Sequence, residues 1–174
     1  AIEDSIDILR RDLGDLSPDL TIVFVSPHHA TAYDQVPKML KDYVGNGLII
    51  GCSGGGIIGA GLELENRPGF SITSANLPGV ELIPFHIEEG SLPNADAPPS
   101  AWEELVGVTQ ASNPQFLLLV DPTTPITEDL IAGLDYAFPK SVKIGGVVSG
   151  TGGPSGNALY LGPVSYTHLR AHEP

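Results

Sequence analysis

The residues with the most chemical potential sit in two glycine-rich stretches. The first is Gly51-Cys52-Ser53-Gly54-Gly55-Gly56, continuing through Ile57-Ile58 to Gly59, and it holds the chain's only cysteine. Gly51, Ser53 and Gly55 spell G-x-S-x-G, the nucleophile elbow, which seats its serine on a strand-to-helix turn and draws acid and histidine from later in the chain. Here the continuation, Gly56-Ile57-Ile58-Gly59-Ala60-Gly61, is a poor helix, His28 and His29 precede the serine, and the later His86 falls on an expected strand. Gly54, Gly56 and Gly59 also spell G-x-G-x-x-G, but neither the following helix nor the acidic residue about 20 positions on is present. No lysine lies near either stretch, which argues against a phosphate loop.

Cys52 beside a nest of backbone N–H groups could be an activated thiol; the simpler expectation is a packed, inert one. His28-His29 have no third ligand at metal spacing, so neither a metal nor a cofactor is expected. Asp121 reads as a strand-end turn residue, and Glu63 with Glu65 as the polar face of a strand. What remains is a constellation at strand ends, where open α/β sheets bind ligands. Its members are Ser26 and His28 after one strand, and Gly51, Cys52, Ser53, Gly54, Gly55 and Gly56 after the next. Ser149, Gly150 and Asn157 join them from the second glycine-rich stretch, 149–157. Backbone N–H groups in such loops can hold a carboxylate or another small anion.

The elements that must position these residues follow from hydrophobic period. Helices are expected at about 2–14, 33–44, 101–107 and 128–137, with Ser100 and Thr127 as N-caps and Glu103 as a capping-box partner. Leu20 to Val25, Leu48 to Ile50, Phe116 to Val120, Val142 to Val148 and Ala158 to Leu161 read as strands. Between 57 and 88 the pattern alternates, broken by Asn66-Arg67-Pro68-Gly69 and Asn76-Leu77-Pro78-Gly79, which predicts an antiparallel meander of about three strands. Glu88 to Ser100 is a polar, proline-rich connection.

The chain of 174 residues carries a formal charge of −13 with no basic cluster, so nucleic acid and anionic membrane surfaces are not expected partners. No apolar run approaches the roughly 18 residues of a membrane span. A single cysteine fits a reducing, intracellular compartment, the cytoplasm first and a plastid as the other setting.

Val23-Phe24-Val25-Ser26-Pro27-His28, then Ile49 through Gly59, then Leu62-Glu63-Leu64-Glu65 resemble, in that order, the FIST N-terminal domain, named for F-box and intracellular signal transduction proteins. Gly145-Gly146-Val147-Val148-Ser149-Gly150 with Gly156-Asn157-Ala158 resembles that domain's later glycine-rich segment. The resemblance implies a sensory module for a small ligand, with amino acids proposed as ligands. It also implies a C-terminal FIST domain, which is missing from this chain. It carries no catalytic residues, and none is assigned. Val164 to Glu173 resembles translated sequencing adapter. Residues 1–163 therefore read as an incomplete FIST N-terminal domain, and 164–174 as a non-native tail.

The expectation is an α/β fold with a mixed sheet, alternating helices and a central antiparallel meander. Its expected function is intracellular binding of a small metabolite, an amino acid or other small carboxylate, coupled to signalling. Two alternatives stand beside it: a serine or cysteine hydrolase or transferase using Ser53 or Cys52 with a histidine, and a protein-interaction scaffold without ligand.

Overall fold

A computed structural model describes residues 2–14, 17–88, 90–150 and 156–167. The expectations for loop residues 151–155 and for the end of the tail, 168–174, lie outside the described residues. The chain forms two compact units: one from the residues up to Val80 together with those from Val148 on, the other Glu81–Val147.

The first unit is built on a five-stranded mixed sheet, a central parallel pair flanked by antiparallel strands. Strand β1 (Leu20–Val25) pairs parallel with β2 (Leu48–Ser53), from Leu20↔Leu48 to Val25↔Ser53. The expected short strand at 48–50 therefore runs three residues further, through Cys52 and Ser53, because the β1 ladder continues to template it. Gly51 permits this: a Cβ there would run into the carbonyl oxygen of Val23 on the paired strand. The crossover between the two strands is a 3-10 helix, Pro27–Gln35, followed by α2 (Val36–Val44). The α-helix begins later than the predicted 33 because Pro37 lacks an N–H and suits only a first turn.

The alternating stretch after Gly55 divides in two. β3 (Gly56–Gly59) and β4 (Leu62–Glu65) form a hairpin, whereas β5 (Phe70–Ala75) leaves it and pairs antiparallel with β1. Polar clamps fix β5 at both ends. Ser26 N donates to Gly69 O at 2.9 Å and Gly69 N to Ser26 Oγ at 3.0 Å, while Leu77 N donates to Asp19 Oδ2 at 2.6 Å. The third expected meander strand, at 80–88, does not form; its apolar residues Phe85 and Ile87 are satisfied by packing on the second unit's core instead. β8 (Ala158–Leu161) pairs antiparallel with β2, and β9 (Val164–Thr167) antiparallel with β8. Ile6 of α1 (Ile2–Leu13), Val23, Val25, Leu40, Val44 and Ile49 form the core of this unit. Each such side chain contributes about 1.5–3 kcal/mol by leaving water.

In the second unit β6 (Phe116–Val120) and β7 (Lys143–Val147) pair parallel through the helix α4 (Thr127–Ala137). α3 (Pro99–Val106) packs against α4, with Trp102, Leu130, Leu134 and Phe138 buried between the elements. Gly133 of α4 lies under the Trp102 indole, where a Cβ would collide with the ring. Ala would be better by about 1 kcal/mol for helix propensity, but overpacking costs about 1–3 kcal/mol, so contact decides for glycine. The expected caps differ. Pro98 is the N-cap of α3, Ser100 lies inside the helix, and Glu103 Oε1 accepts instead from Gln110 N at 2.6 Å. Thr127 is the first helical residue of α4, after Ile126.

Candidate functional site

All eleven ligand-site candidates fall in the first unit, and its topology sorts them by role. β1 and β2 are adjacent and parallel, so Ser26-Pro27-His28 and Gly54-Gly55-Gly56 emerge from neighbouring C-terminal strand ends. The second glycine-rich stretch reaches the same place. Gly55 N donates to Ser149 Oγ at 2.9 Å, a contact spanning 94 residues of sequence, and Ser149 N donates to Ser53 O at 3.3 Å. Ala158 N donates to Ser53 Oγ at 3.0 Å. Gly54 N donates to Val25 O at 3.0 Å, which closes the β1 side. A Cβ on Gly150 would meet Asn157 Oδ1 at 3.1 Å, so the two ends of the 149–157 stretch lie against each other.

Ser26, Gly51, Cys52, Ser53 and Asn157 are buried, Gly54 and Gly150 half-buried, and His28, Gly55, Gly56 and Ser149 exposed. Buried members build the frame and exposed ones face outward. Ser26 uses its hydroxyl on Gly69 and so provides no side-chain cap to the helix it precedes. Ser53 uses its oxygen on Ala158 N. The N–H groups of Gly54 and Gly55 are likewise occupied within the frame, and among the described candidate side chains Ser149 and His28 are the exposed polar ones.

Burial sets the electrostatics. It pushes the Cys52 thiol up from 9.0 to about 12, so the sulfur is protonated at neutral pH and no lowering by nearby N–H groups prevails. Burial likewise raises the phenol of Tyr33, on the 3-10 helix, with the Ser53 side chain acting in the other direction and Cys52 adding to the rise. The Ser53 influence does not amount to a formed bond, because Tyr33 Oη is buried without a hydrogen-bond partner among the described residues. Tyr160 on β8 is raised by burial first and then by Tyr33, Cys52 and Asp34, and its Oη also lacks a partner. These two tyrosines were missed from sequence. The available signal was a phenol on the buried face of a strand (Tyr160) and another on the turn after one (Tyr33).

Among the described residues, neither Ser53 nor Cys52 hydrogen-bonds a histidine, so the relay that a hydrolase needs is not assembled. No group of three metal-ligating side chains occurs among the described residues, and no described helix is long and apolar enough to cross a membrane. Asp121 ends β6 in the second unit, where its Oδ1 accepts from Thr123 N and Oγ1, both at 2.8 Å, as the expected turn residue.

The first unit is thus a mixed α/β sheet that gathers the candidate residues at the C-terminal ends of β1 and β2. The chain belongs to the FIST N domain family, whose model matches residues 19–168. This is a family of sensory domains in signal transduction. No curated protein and no solved structure matches the chain.

Proposed function

We propose that this domain binds a small metabolite, an amino acid or other small carboxylate, inside the cell. Occupancy would be passed to signalling through a C-terminal FIST domain or a protein partner. One observation carries the reading: two glycine-rich stretches 94 residues apart are bound to each other at the C-terminal ends of β1 and β2 by Gly55 N–Ser149 Oγ. A pre-formed frame of this kind spares the ordering cost that a loose loop incurs on binding. Ser149 and His28 are the side chains that meet the ligand, and Ser53 and Ser26 hold the frame.

The test is a thermal-shift screen of the whole chain against amino acids and small carboxylates. A ligand at about 100 times its Kd stabilises by ~2.7 kcal/mol, which for a protein of this size raises the melting temperature by roughly 5–10 °C. Ser149→Ala and His28→Ala should each weaken the shift while the unliganded fold survives. A screen in which no metabolite class raises the melting temperature would sink the proposal.

A further inference from the structure

Two phenols stand in the middle of the first unit's apolar core. Tyr33 is 3% exposed and Tyr160 2% exposed, both belong to one buried cluster, and neither hydroxyl has a partner among the described residues. A buried hydroxyl without a partner forfeits its hydration, and phenylalanine would fill nearly the same volume without that loss. The two are close enough that ionisation of one weighs on the other, and the Cys52 thiol adds to both. Ser53 is alongside, accepting from Ala158 N and retaining its own proton.

The chemistry of this cluster is one-sided. Tyr33, Tyr160 and Cys52 are neutral, and each can donate. Every described lysine and arginine of the unit is exposed, so no cation is buried with them, and Asp34 contributes only negative charge. A carboxylate entering here would be buried without a counter-charge, which is strongly unfavourable. An uncharged carbonyl oxygen, with two lone pairs, can accept from both phenols at once.

We propose that Tyr33 and Tyr160 form the inner end of a ligand site that receives an uncharged carbonyl-type acceptor, such as an amide, ester or undissociated acid group. The site deepens the binding function proposed above and rests on it. Tyr160 is paired with Gly51, three residues before Gly54, so its backbone lies at the inner end of the frame, about 10 Å along β2 from Gly54, where the outward glycines begin. A ligand spanning that distance presents its neutral carbonyl inward and any charge outward. Tyr33 belongs to the cover, the 3-10 helix Pro27–Gln35. It is two short 3-10 turns that meet at a kink at His29 (φ −106°, ψ 16°), where the dihedrals are not helical. The cover is the element that moves when the ligand enters.

The experiment uses the whole chain with Tyr33→Phe, Tyr160→Phe and the double substitution. Without ligand, the Phe variants should melt at or above the wild-type temperature, since no hydrogen bond is lost. With tyrosine labelled at 13Cζ, propionamide should shift the Tyr33 and Tyr160 resonances saturably, and propionate at the same concentration should not. A thermal shift produced by propionamide should vanish in the double variant. Three results would overturn the site: Phe variants that melt several degrees lower without ligand, tyrosine resonances indifferent to propionamide, or a larger response to propionate. If an amino acid from the screen keeps its full thermal shift in the double variant, the sensory reading stands and this site falls. If the screen is empty while the propionamide response is lost in the double variant, this site stands and the ligand class proposed for the domain falls.

Discussion

Cys52 shows how one residue's surroundings overrule its reactivity. At 5% exposure its thiol has lost most of its hydration, and its folded pKa of about 12 exceeds the ordinary 9.0. Because the folded value is the higher one, the stabilisation is complete below pH 9 and lost as pH rises from there towards 12. A single such site loses about 1.4 kcal/mol per pH unit in that window. Denaturant melts should therefore show stability falling from pH 9 upward, and Cys52→Ala, though less stable at neutral pH, should show a flatter profile until the tyrosines ionise. A disulfide reagent at pH 8 should label Cys52 only after denaturation; rapid labelling of the native protein would contradict the burial argument. At this scale the sequence was legible where backbone chemistry dictates the residue, as with the Asp121 turn. It was not legible for Tyr33 and Tyr160, because a tyrosine in an apolar pattern looks the same whether or not its hydroxyl finds a partner.

Among the elements, the β3–β4 hairpin carries identifiable strain. Its two-residue turn is Ala60-Gly61, both at positive φ (49° and 74°), as the turn type that matches strand twist requires. Gly61 adopts this freely, whereas for Ala60 the left-handed region costs roughly 1–2 kcal/mol. Ala60→Asn, a residue suited to that position, should stabilise the hairpin by up to about 1 kcal/mol, read as slower amide exchange of Ile57 and Leu64. Faster exchange would show that the turn is not as described. Strongly periodic elements, α1 and β1 above all, were readable from the sequence because burial and period agree there. β5 was readable as a strand but not in its pairing, since the partner is chosen by Ser26 and Asp19, distant residues that clamp its ends. The apolar run at 80–88 had the composition of a strand and no strand to pair with.

For the whole molecule, a charge of −13 acts against the compact state. Of the ion pairs described, Arg10–Asp7 at 3.8 Å is exposed and contributes about 0–1 kcal/mol, while Lys143–Asp135 at 2.9 Å, with its lysine half-buried, is a single pair against that net charge. Raising ionic strength from about 0.01 to 0.1 M shortens the screening length from roughly 30 to 10 Å. The melting temperature should rise over that range, and a fall would mean that attractive pairs dominate. Composition made this charge balance legible at once. The division into two units was not legible, because no change in composition marks the positions near 80 and 148 where the chain leaves one unit and returns to it. That division has a consequence for biosynthesis. β2 is made early, yet its second neighbour β8 arrives only after the whole of Glu81–Val147 has been translated. The bond from Ala158 N to Ser53 Oγ spans 105 residues, which at about 5–20 residues per second is a delay of roughly 5–20 s. For that interval the Ile50-Gly51-Cys52 edge, which β8 later covers, is an open template for any passing strand. Nascent chains stalled within this window should engage holdase chaperones most strongly, and release should follow completion of β8.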